Sequence, residues 1–182
     1  MGGIAEMRLM KKFLAAIPAA MLLVSCIREG RPGSEIAPGD RLPDFVVEMN
    51  DGSLVSTASL EGSVSLIVFF NTGCPDCREE LPVIQRIYDD FGAEVRTVCI
   101  SREQGSAGIE AYWRENGLTL PYSAQEDRAV YELFAGSGVP RVYVSSPDLV
   151  VRKVYDDDPI AGYDDLAADM EGLLRSGGLQ IE

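Results

Sequence analysis

The segment FFNTGCPDCREELP, residues 69–82, contains two cysteines that are separated by a proline and an aspartate. An almost unbroken apolar run, SVSLIVFF at 63–70, leads into it and is typical of a strand that is buried on both faces. From Pro75 onwards, apolar residues recur at intervals of three and four, which predicts an amphipathic helix. A strand, a short loop and a helix therefore carry the C-x-x-C pair, Cys74 and Cys77.

The rest of the chain alternates between strand and helix patterns. PDFVVEMNDGSLVS, residues 43–56, alternates apolar and polar residues around Asp51-Gly52, which predicts a β-hairpin. Further strands are predicted at 94–101, 139–146 and 149–155, and further helices at 106–117, 127–136 and 162–178. Strand–helix–strand alternation requires a mainly parallel sheet, to which the last two strands add an antiparallel edge. We expect an α/β sandwich in which helices flank a central mixed β-sheet, with an N-terminal β-hairpin.

The composition excludes several classes of function. The chain has 182 residues, of which 46% are apolar and 25% charged, as expected for one globular domain with a sizeable core. Histidine is absent, which excludes His-based triads, His metal sites and the C-x-x-C-H haem attachment. The net charge of −13 argues against nucleic acid as a partner, because phosphate binding relies on clustered Lys and Arg.

The first 26 residues have the features of a signal peptide. A basic start is followed by an apolar run at 13–24, and its roughly 12 residues are fewer than the roughly 20 that span a bilayer. Leu23-Val24-Ser25-Cys26 resembles the lipobox of bacterial lipoproteins, which implies cleavage before Cys26 and lipidation of its sulfur. The alternative is a plain secretory signal with an incidental cysteine.

Residues 27–39 are rich in Gly, Pro and charge, which predicts a flexible tether. No repeat or second change of composition follows, so we expect one domain at 40–178. Under either interpretation of the signal, this domain lies outside the cytoplasm, where disulfides form and persist.

The C-x-x-C pair could hold a metal, form a structural disulfide or act as a redox dithiol. A zinc site usually takes four Cys or His ligands, and only Cys99 remains once Cys26 is lipidated. A permanent disulfide would close a loop too small to contribute much chain-entropy stabilisation. At the start of a helix, free amides and the dipole stabilise a thiolate on Cys74, while Cys77 lies one turn along on the same side. We therefore predict a catalytic dithiol that needs no metal and no cofactor beyond its own disulfide. Cys99 is interpreted as a buried thiol in a strand, with a third redox partner as the alternative.

Several motifs together resemble a known family. They are A-P-G-D-x-x-P-D-F, the D-G hairpin, the apolar strand into F-F-N-T-G-C-P-D-C-R-x-E-L-P, and a later G-V-P. The chain resembles, over roughly residues 36–176, the thioredoxin-fold, membrane-tethered thiol-disulfide oxidoreductases of bacterial envelopes (TlpA/ResA type, redoxin/AhpC-TSA-like). The resemblance implies a thioredoxin-like sandwich, a cis Pro140 that faces the cysteine pair, and a Val139 backbone that binds a substrate strand. Independently, Pro140 opens an apolar strand, where either a cis turn or an ordinary trans proline fits.

The resemblance also implies a function and a place in the cell. It implies reduction of disulfides in other envelope proteins, with apocytochrome c among the candidate clients and a membrane thiol carrier as the electron donor. The protein would be lipid-anchored on the periplasmic side of the envelope. Two alternatives remain: a thiol peroxidase, or a non-catalytic binding module that keeps the C-x-x-C only as an inherited crosslink. The peroxidase pattern P-x-x-x-T-x-x-C is broken by Ile67 and Asn71.

The sequence departs from the family at two positions near the cysteines. Gly73 stands where the family commonly has tryptophan, and Val68 stands where thioredoxins carry a buried carboxylate. Proton handling must then come from elsewhere, and Asp76, Glu79 and Glu80 are the local candidates. For the two glutamates, the alternative role is a charge that complements the helix dipole. The carboxylate of Asp76 opposes a thiolate, which favours a reductase over an oxidant.

Overall fold

The structure is a computed structural model, and it describes residues 28–29 and 35–178. The strands of this part of the chain are β1 (Arg28–Glu29), β2 (Asp40–Arg41), β3 (Val46–Glu48), β4 (Leu54–Ser56), β5 (Val64–Phe70), β6 (Val95–Ser101), β7 (Tyr122–Ser123), β8 (Arg141–Ser145) and β9 (Val151–Tyr155). The α-helices are α1 (Pro75–Phe91), α2 (Ser106–Asn116) and α3 (Tyr163–Gly178).

Five strands form the central sheet, in the order β7-β6-β5-β8-β9. The first three are parallel to one another, whereas β8 runs antiparallel to β5 and β9 antiparallel to β8. At the centre, Val68 is paired with Cys99 on one side and with Val142 on the other. The mixed sheet, the antiparallel last pair and the hairpin of β3 and β4 agree with the prediction.

The core forms on both faces of β5, all seven residues of which are buried. Neighbouring residues of a strand point to opposite faces. Phe70 packs on Trp113 of α2, with ring centroids 5.1 Å apart, and Phe69 packs on Phe134 at 4.9 Å. The apolar stripe of α1 is buried as its spacing predicts, and the helix ends at Gly92.

The helix predicted at 127–136 is wrong. The structure has a single 3₁₀ turn there, at Tyr131–Leu133. In a 3₁₀ turn, side chains three positions apart lie on the same side. This lets Tyr131 and Phe134 both pack on Phe69, with centroids 5.4 and 4.9 Å away. Tertiary packing thus overrides the local helical pattern. The short strand β7, which pairs with β6, was not predicted.

Residues 35–39, which the sequence analysis places in the tether, contact the domain. The side chain of Ile36 is buried, and its N–H donates to the carbonyl oxygen of Phe134 at 2.9 Å. The N–H of Gly39 donates to Val151 at 2.8 Å. The packed domain therefore begins no later than residue 35, because an apolar side chain in this segment has a place in the core. The signal peptide and Cys26 lie outside the described residues.

None of the helices at 35–178 combines the length and the hydropathy needed to cross a bilayer.

Candidate active site around Cys74 and Cys77

The cysteine pair lies where β5 passes into α1. Cys74 has an extended backbone and caps the N-terminus of α1, and Pro75 occupies the first helical turn. The N–H of Cys74 donates to the carbonyl oxygen of Asn71 at 2.9 Å, which closes the loop. The Cys74 side chain is partly exposed, whereas Cys77, one turn further, is fully buried. No disulfide bond joins the two sulfurs in this structure. Cys74 is thus the more accessible thiol of the pair.

The loop at 71–73 is held by side chains from outside it. Gln104 binds Thr72 twice: its Oε1 accepts from the Thr72 N–H at 2.8 Å, and its Nε2 donates to the Thr72 hydroxyl at 2.5 Å. Arg78 Nε donates to the carbonyl oxygen of Thr72 at 2.5 Å. Sequence reasoning missed Gln104 because it lies 32 positions from Thr72 and belongs to no motif.

The predicted substrate loop faces the exposed cysteine. The Sγ of Cys74 donates to the carbonyl oxygen of Val139 at 3.3 Å, and the Val139–Pro140 peptide bond is cis. Val139 is buried, with 6% of its surface exposed. The structure therefore brings Cys74, Cys77, Val139 and Pro140 together.

The environment of Cys77 favours its neutral thiol. Burial raises the pKa of this thiol well above its usual range. The N–H of Asn71, 3.5 Å from the sulfur, lowers the pKa, and the nearby Cys74 and Glu80 raise it further. Cys77 needs a proton acceptor before it can act as a nucleophile.

Glu80 is the carboxyl group whose charge acts on the Cys77 thiol, which makes it the candidate proton acceptor. Only 2% of its surface is exposed, and burial raises its pKa to about 8, an effect that the backbone of Ala161 partly offsets. Within the described residues, its Oε1 atom has no hydrogen-bond partner. The charge of Glu80 raises the pKa of both Cys77 and Cys99.

The three acidic candidates differ in their surroundings. Asp76, in the first turn of α1, is half-buried, Glu79 is exposed and Glu80 is buried. Glu79 fits the role of a surface charge that complements the helix dipole. Glu80 does not, because a buried carboxyl with a pKa of about 8 is mostly protonated at neutral pH. Sequence reasoning named Glu80 as a candidate but did not foresee its burial.

Cys99 is a buried thiol of β6, as expected from its apolar surroundings. Burial raises its pKa above the usual range. Within residues 28–29 and 35–178, no group of three or more Cys, Asp or Glu side chains has the geometry of a metal site.

Comparison with known protein families identifies the chain at the family level. A family model described as the AhpC/TSA family matches residues 38–154, more than half of the sequence. The chain belongs to the AhpC/TSA family. The matched region of this AhpC/TSA-family chain includes both cysteines and the cis Val139–Pro140 bond.

Two relatives of this AhpC/TSA-family chain are named thiol-disulfide oxidoreductase ResA. It is 25% identical to the thiol-disulfide oxidoreductase ResA of Bacillus subtilis (strain 168) over 120 residues, which cover 65% of the chain and 67% of that protein. It is 27% identical to the ResA of Oceanobacillus iheyensis over 121 residues, which cover 64% of the chain and 63% of that protein. The chain thus spans about two thirds of the length of these curated relatives.

Solved structures share the fold. A thiol:disulfide interchange protein of the thioredoxin family, from Chlorobium tepidum TLS, is similar with a TM-score of 0.65 and 22% sequence identity. The similarity covers 78% of this chain and 99% of that one. The AhpC/TSA-family chain therefore has the thioredoxin-like fold that the sequence predicted.

Proposed function

We propose that the protein is a thiol-disulfide oxidoreductase that reduces disulfides of client proteins through a Cys74–Cys77 dithiol/disulfide cycle. The observation that carries the proposal is the position of Cys74. Its thiol is partly exposed at a helix N-terminus and lies 3.3 Å from the Val139 carbonyl oxygen, with the buried Cys77 one turn behind it. A helix N-terminus stabilises the thiolate, which is the reactive form.

The proposed reaction has two exchange steps. The Cys74 thiolate attacks one client sulfur, so that the client S–S bond breaks and a mixed disulfide forms; the other client sulfur leaves as a thiolate and takes up a proton. Cys77 then loses its proton and attacks the Cys74 sulfur. This step forms the Cys74–Cys77 disulfide and releases the second client thiol. Two electrons pass from the pair to the client, and an external dithiol must return them.

The remaining residues have proposed roles in this cycle. The backbone of Val139, beside Pro140, binds the client strand next to its disulfide. Glu80 exchanges the proton of Cys77, because it is buried close to that thiol and has a pKa of about 8. Asp76 acts through its charge on the thiolate, and Glu79 contributes only to the helix dipole. No cofactor beyond the disulfide itself is needed.

The direction of electron flow is tested by the reduction potential of the pair. The protein is equilibrated with glutathione buffers, and the fraction of Cys74–Cys77 disulfide is measured. For a reductase, we expect a potential closer to the about −270 mV of thioredoxin than to the about −120 mV of DsbA. A value near the latter would make the protein an oxidant.

A thiol peroxidase is the alternative activity within the same fold. The peroxidase signature lacks both of its side chains upstream of Cys74, because Ile67 and Asn71 replace proline and threonine. A peroxide-consumption assay separates the two activities: peroxide loss that depends on Cys74, without reduction of protein disulfides, would favour the peroxidase. A non-catalytic module is the other alternative. A Cys74 that stays unreactive towards iodoacetamide at neutral pH after reduction would favour it.

We further propose that the protein is a lipoprotein on the periplasmic side of the bacterial envelope. The proposal assigns residues 1–26 to a signal peptide and Cys26 to lipidation, followed by a tether and the thioredoxin-like domain. Proposed partners are disulfide-bearing clients, apocytochrome c among them, and a membrane thiol carrier that supplies electrons. Cys26→Ala should move the protein from the membrane fraction to the soluble fraction. An unchanged membrane fraction would contradict the lipid anchor.

A further inference from the structure

Residues 136–139 form the loop that precedes Pro140, and each of its four carbonyl oxygens accepts a hydrogen bond from a different side chain. We call this segment the 136–139 loop. The donors are Arg128 Nη2 to Gly136 (2.8 Å), Arg141 Nη2 to Ser137 (3.0 Å), Tyr131 Oη to Gly138 (2.5 Å) and Cys74 Sγ to Val139 (3.3 Å). The first three donors therefore hold the backbone of residues 136–138, directly before the Val139 carbonyl that faces the Cys74 thiol.

The donor at Gly138 is itself held firmly. Only 1% of Tyr131 is exposed, and its ring packs edge-on against Phe69 of the central strand, with centroids 5.4 Å apart. The guanidinium groups of Arg102 and Arg128 lie 5.5 and 5.4 Å from the ring centroid, where cations interact favourably with an aromatic ring. The phenol oxygen is thus directed at Gly138 by contacts on the rest of the ring.

The donor at Ser137 joins the loop to the N-terminal segment. Arg141 directly follows Pro140, and its side chain is 14% exposed. Its Nη2 atom lies 3.0 Å from both the Ser137 carbonyl oxygen and Glu35 Oε1. Glu35, whose side chain is 60% exposed, is the ion-pair partner of this guanidinium, so Arg141 links the loop to the N-terminal segment.

We propose that Tyr131, assisted by Arg128 and Arg141, is a positioning residue that presents the Val139 backbone to polypeptide clients. This inference rests on the proposed disulfide exchange at Cys74. A client strand that pairs with the backbone of Val139 gains from a loop that is already ordered, since binding then costs less conformational entropy. A small disulfide needs only access to the Cys74 sulfur. The three donors therefore set a preference for polypeptide disulfides over small ones.

Tyr131→Phe tests the proposal, because it removes the hydroxyl and keeps the ring. The matched control is Tyr163→Phe, since the Tyr163 hydroxyl donates to Asp90 Oδ2 of α1, outside the 136–139 loop, at 2.7 Å. The full-length protein in detergent is reduced, and its second-order rate constants are measured with a disulfide-linked peptide and with 5,5′-dithiobis(2-nitrobenzoate). We expect the peptide-to-small-disulfide ratio to fall about fivefold in Tyr131→Phe, the effect of one neutral hydrogen bond, and to stay at the wild-type value in Tyr163→Phe.

The ratio separates the possible outcomes. An unchanged ratio in Tyr131→Phe, or an equal fall in Tyr163→Phe, overturns the positioning role. A wild-type protein that reacts with neither disulfide, or a Cys74→Ser variant that reacts as well as wild type, overturns the proposed function instead. If Tyr131→Phe shows no cooperative thermal unfolding, Arg141→Lys replaces it, because lysine keeps the charge opposite Glu35 but lacks the planar fork of donors. The same ratio then decides.

Discussion

The Sγ atom of Cys74 and the carbonyl oxygen of Val139 are 3.3 Å apart, although 65 positions separate the two residues. The register of the sheet accounts for this contact. Strands β5 and β8 are antiparallel neighbours, and Phe69, near the end of β5, is paired with Arg141, the first residue of β8. The segment that follows β5 and the segment that precedes β8 therefore meet at the same end of the sheet. Strand pairing therefore places the Cys74 thiol beside the Val139 backbone.

Cys77→Ser should trap a mixed disulfide between Cys74 and client proteins. The first attack survives in this variant, whereas the second, which releases the client, is lost. The measurement is non-reducing electrophoresis of the purified variant after incubation with a disulfide-bonded protein. Cys99→Ser is the control, because this buried thiol has no role in the proposed cycle and the variant should trap nothing. Equal trapping by Cys74→Ser would reverse the assignment of the two cysteines.

Asp76→His should make the Cys74–Cys77 pair more oxidising. The substitution replaces a negative charge in the first turn of α1 by a group that can be positive, which stabilises the thiolate of the reduced form. Each tenfold change in the exchange equilibrium moves the potential by about 30 mV. The potential is measured against glutathione, with Asp89→His as the control, because Asp89 lies about 20 Å along the helix axis. A fixed potential, or a shift to more negative values, would remove Asp76 from the mechanism.

Glu80→Gln should change how the unfolding free energy depends on pH. Burial raises the pKa of Glu80 from 4.5 to about 8, so in this interval the folded protein holds a proton that the unfolded chain has lost. The group therefore lowers the unfolding free energy as the pH rises, by at most about 1.4 kcal/mol per pH unit. Glutamine keeps the neutral shape and should remove this loss.

Urea unfolding of wild type and Glu80→Gln between pH 5 and pH 8 measures the effect. Glu79→Gln is the matched control, because its side chain is exposed on the same turn of α1. Glu80→Gln should gain stability relative to wild type as the pH rises, whereas Glu79→Gln should follow wild type. Parallel pH profiles for all three proteins would show that the Glu80 carboxyl ionises normally in the folded protein.

Gln104→Ala should destabilise the domain and slow the reaction of Cys74. The substitution removes both hydrogen bonds to Thr72, which order the loop before Cys74, and should lower the unfolding free energy by about 1–3 kcal/mol. The rate constant for the reaction of the reduced Gln104→Ala protein with a disulfide-linked peptide should fall severalfold. Gln125→Ala is the control, because Gln125 Nε2 donates to Ser123 and does not touch that loop. A loss of stability without a slower reaction would limit Gln104 to a structural role.

The sequence by itself determined the elements whose patterns are local. The apolar run of β5, the spacing of apolar residues in α1 and the turn at Asp51-Gly52 each specify their element through neighbours close in the chain. The position of the C-x-x-C at a strand-to-helix junction is likewise local, and the structure has it between β5 and α1. The short helix at 127–136 failed as a prediction for the same reason: its local pattern was helical, but contacts with the distant Phe69 decided its shape.

Only the tertiary structure decided which distant groups surround the pair. Glu80 follows Glu79 directly, yet Glu80 is buried with a pKa of about 8 and Glu79 is exposed, because the two side chains lie on different faces of α1. Gln104 and Tyr131 reach the two loops of the site from segments that no motif marks. Burial and long-range hydrogen bonds depend on how strands and helices pack, and no periodicity in the sequence encodes those contacts.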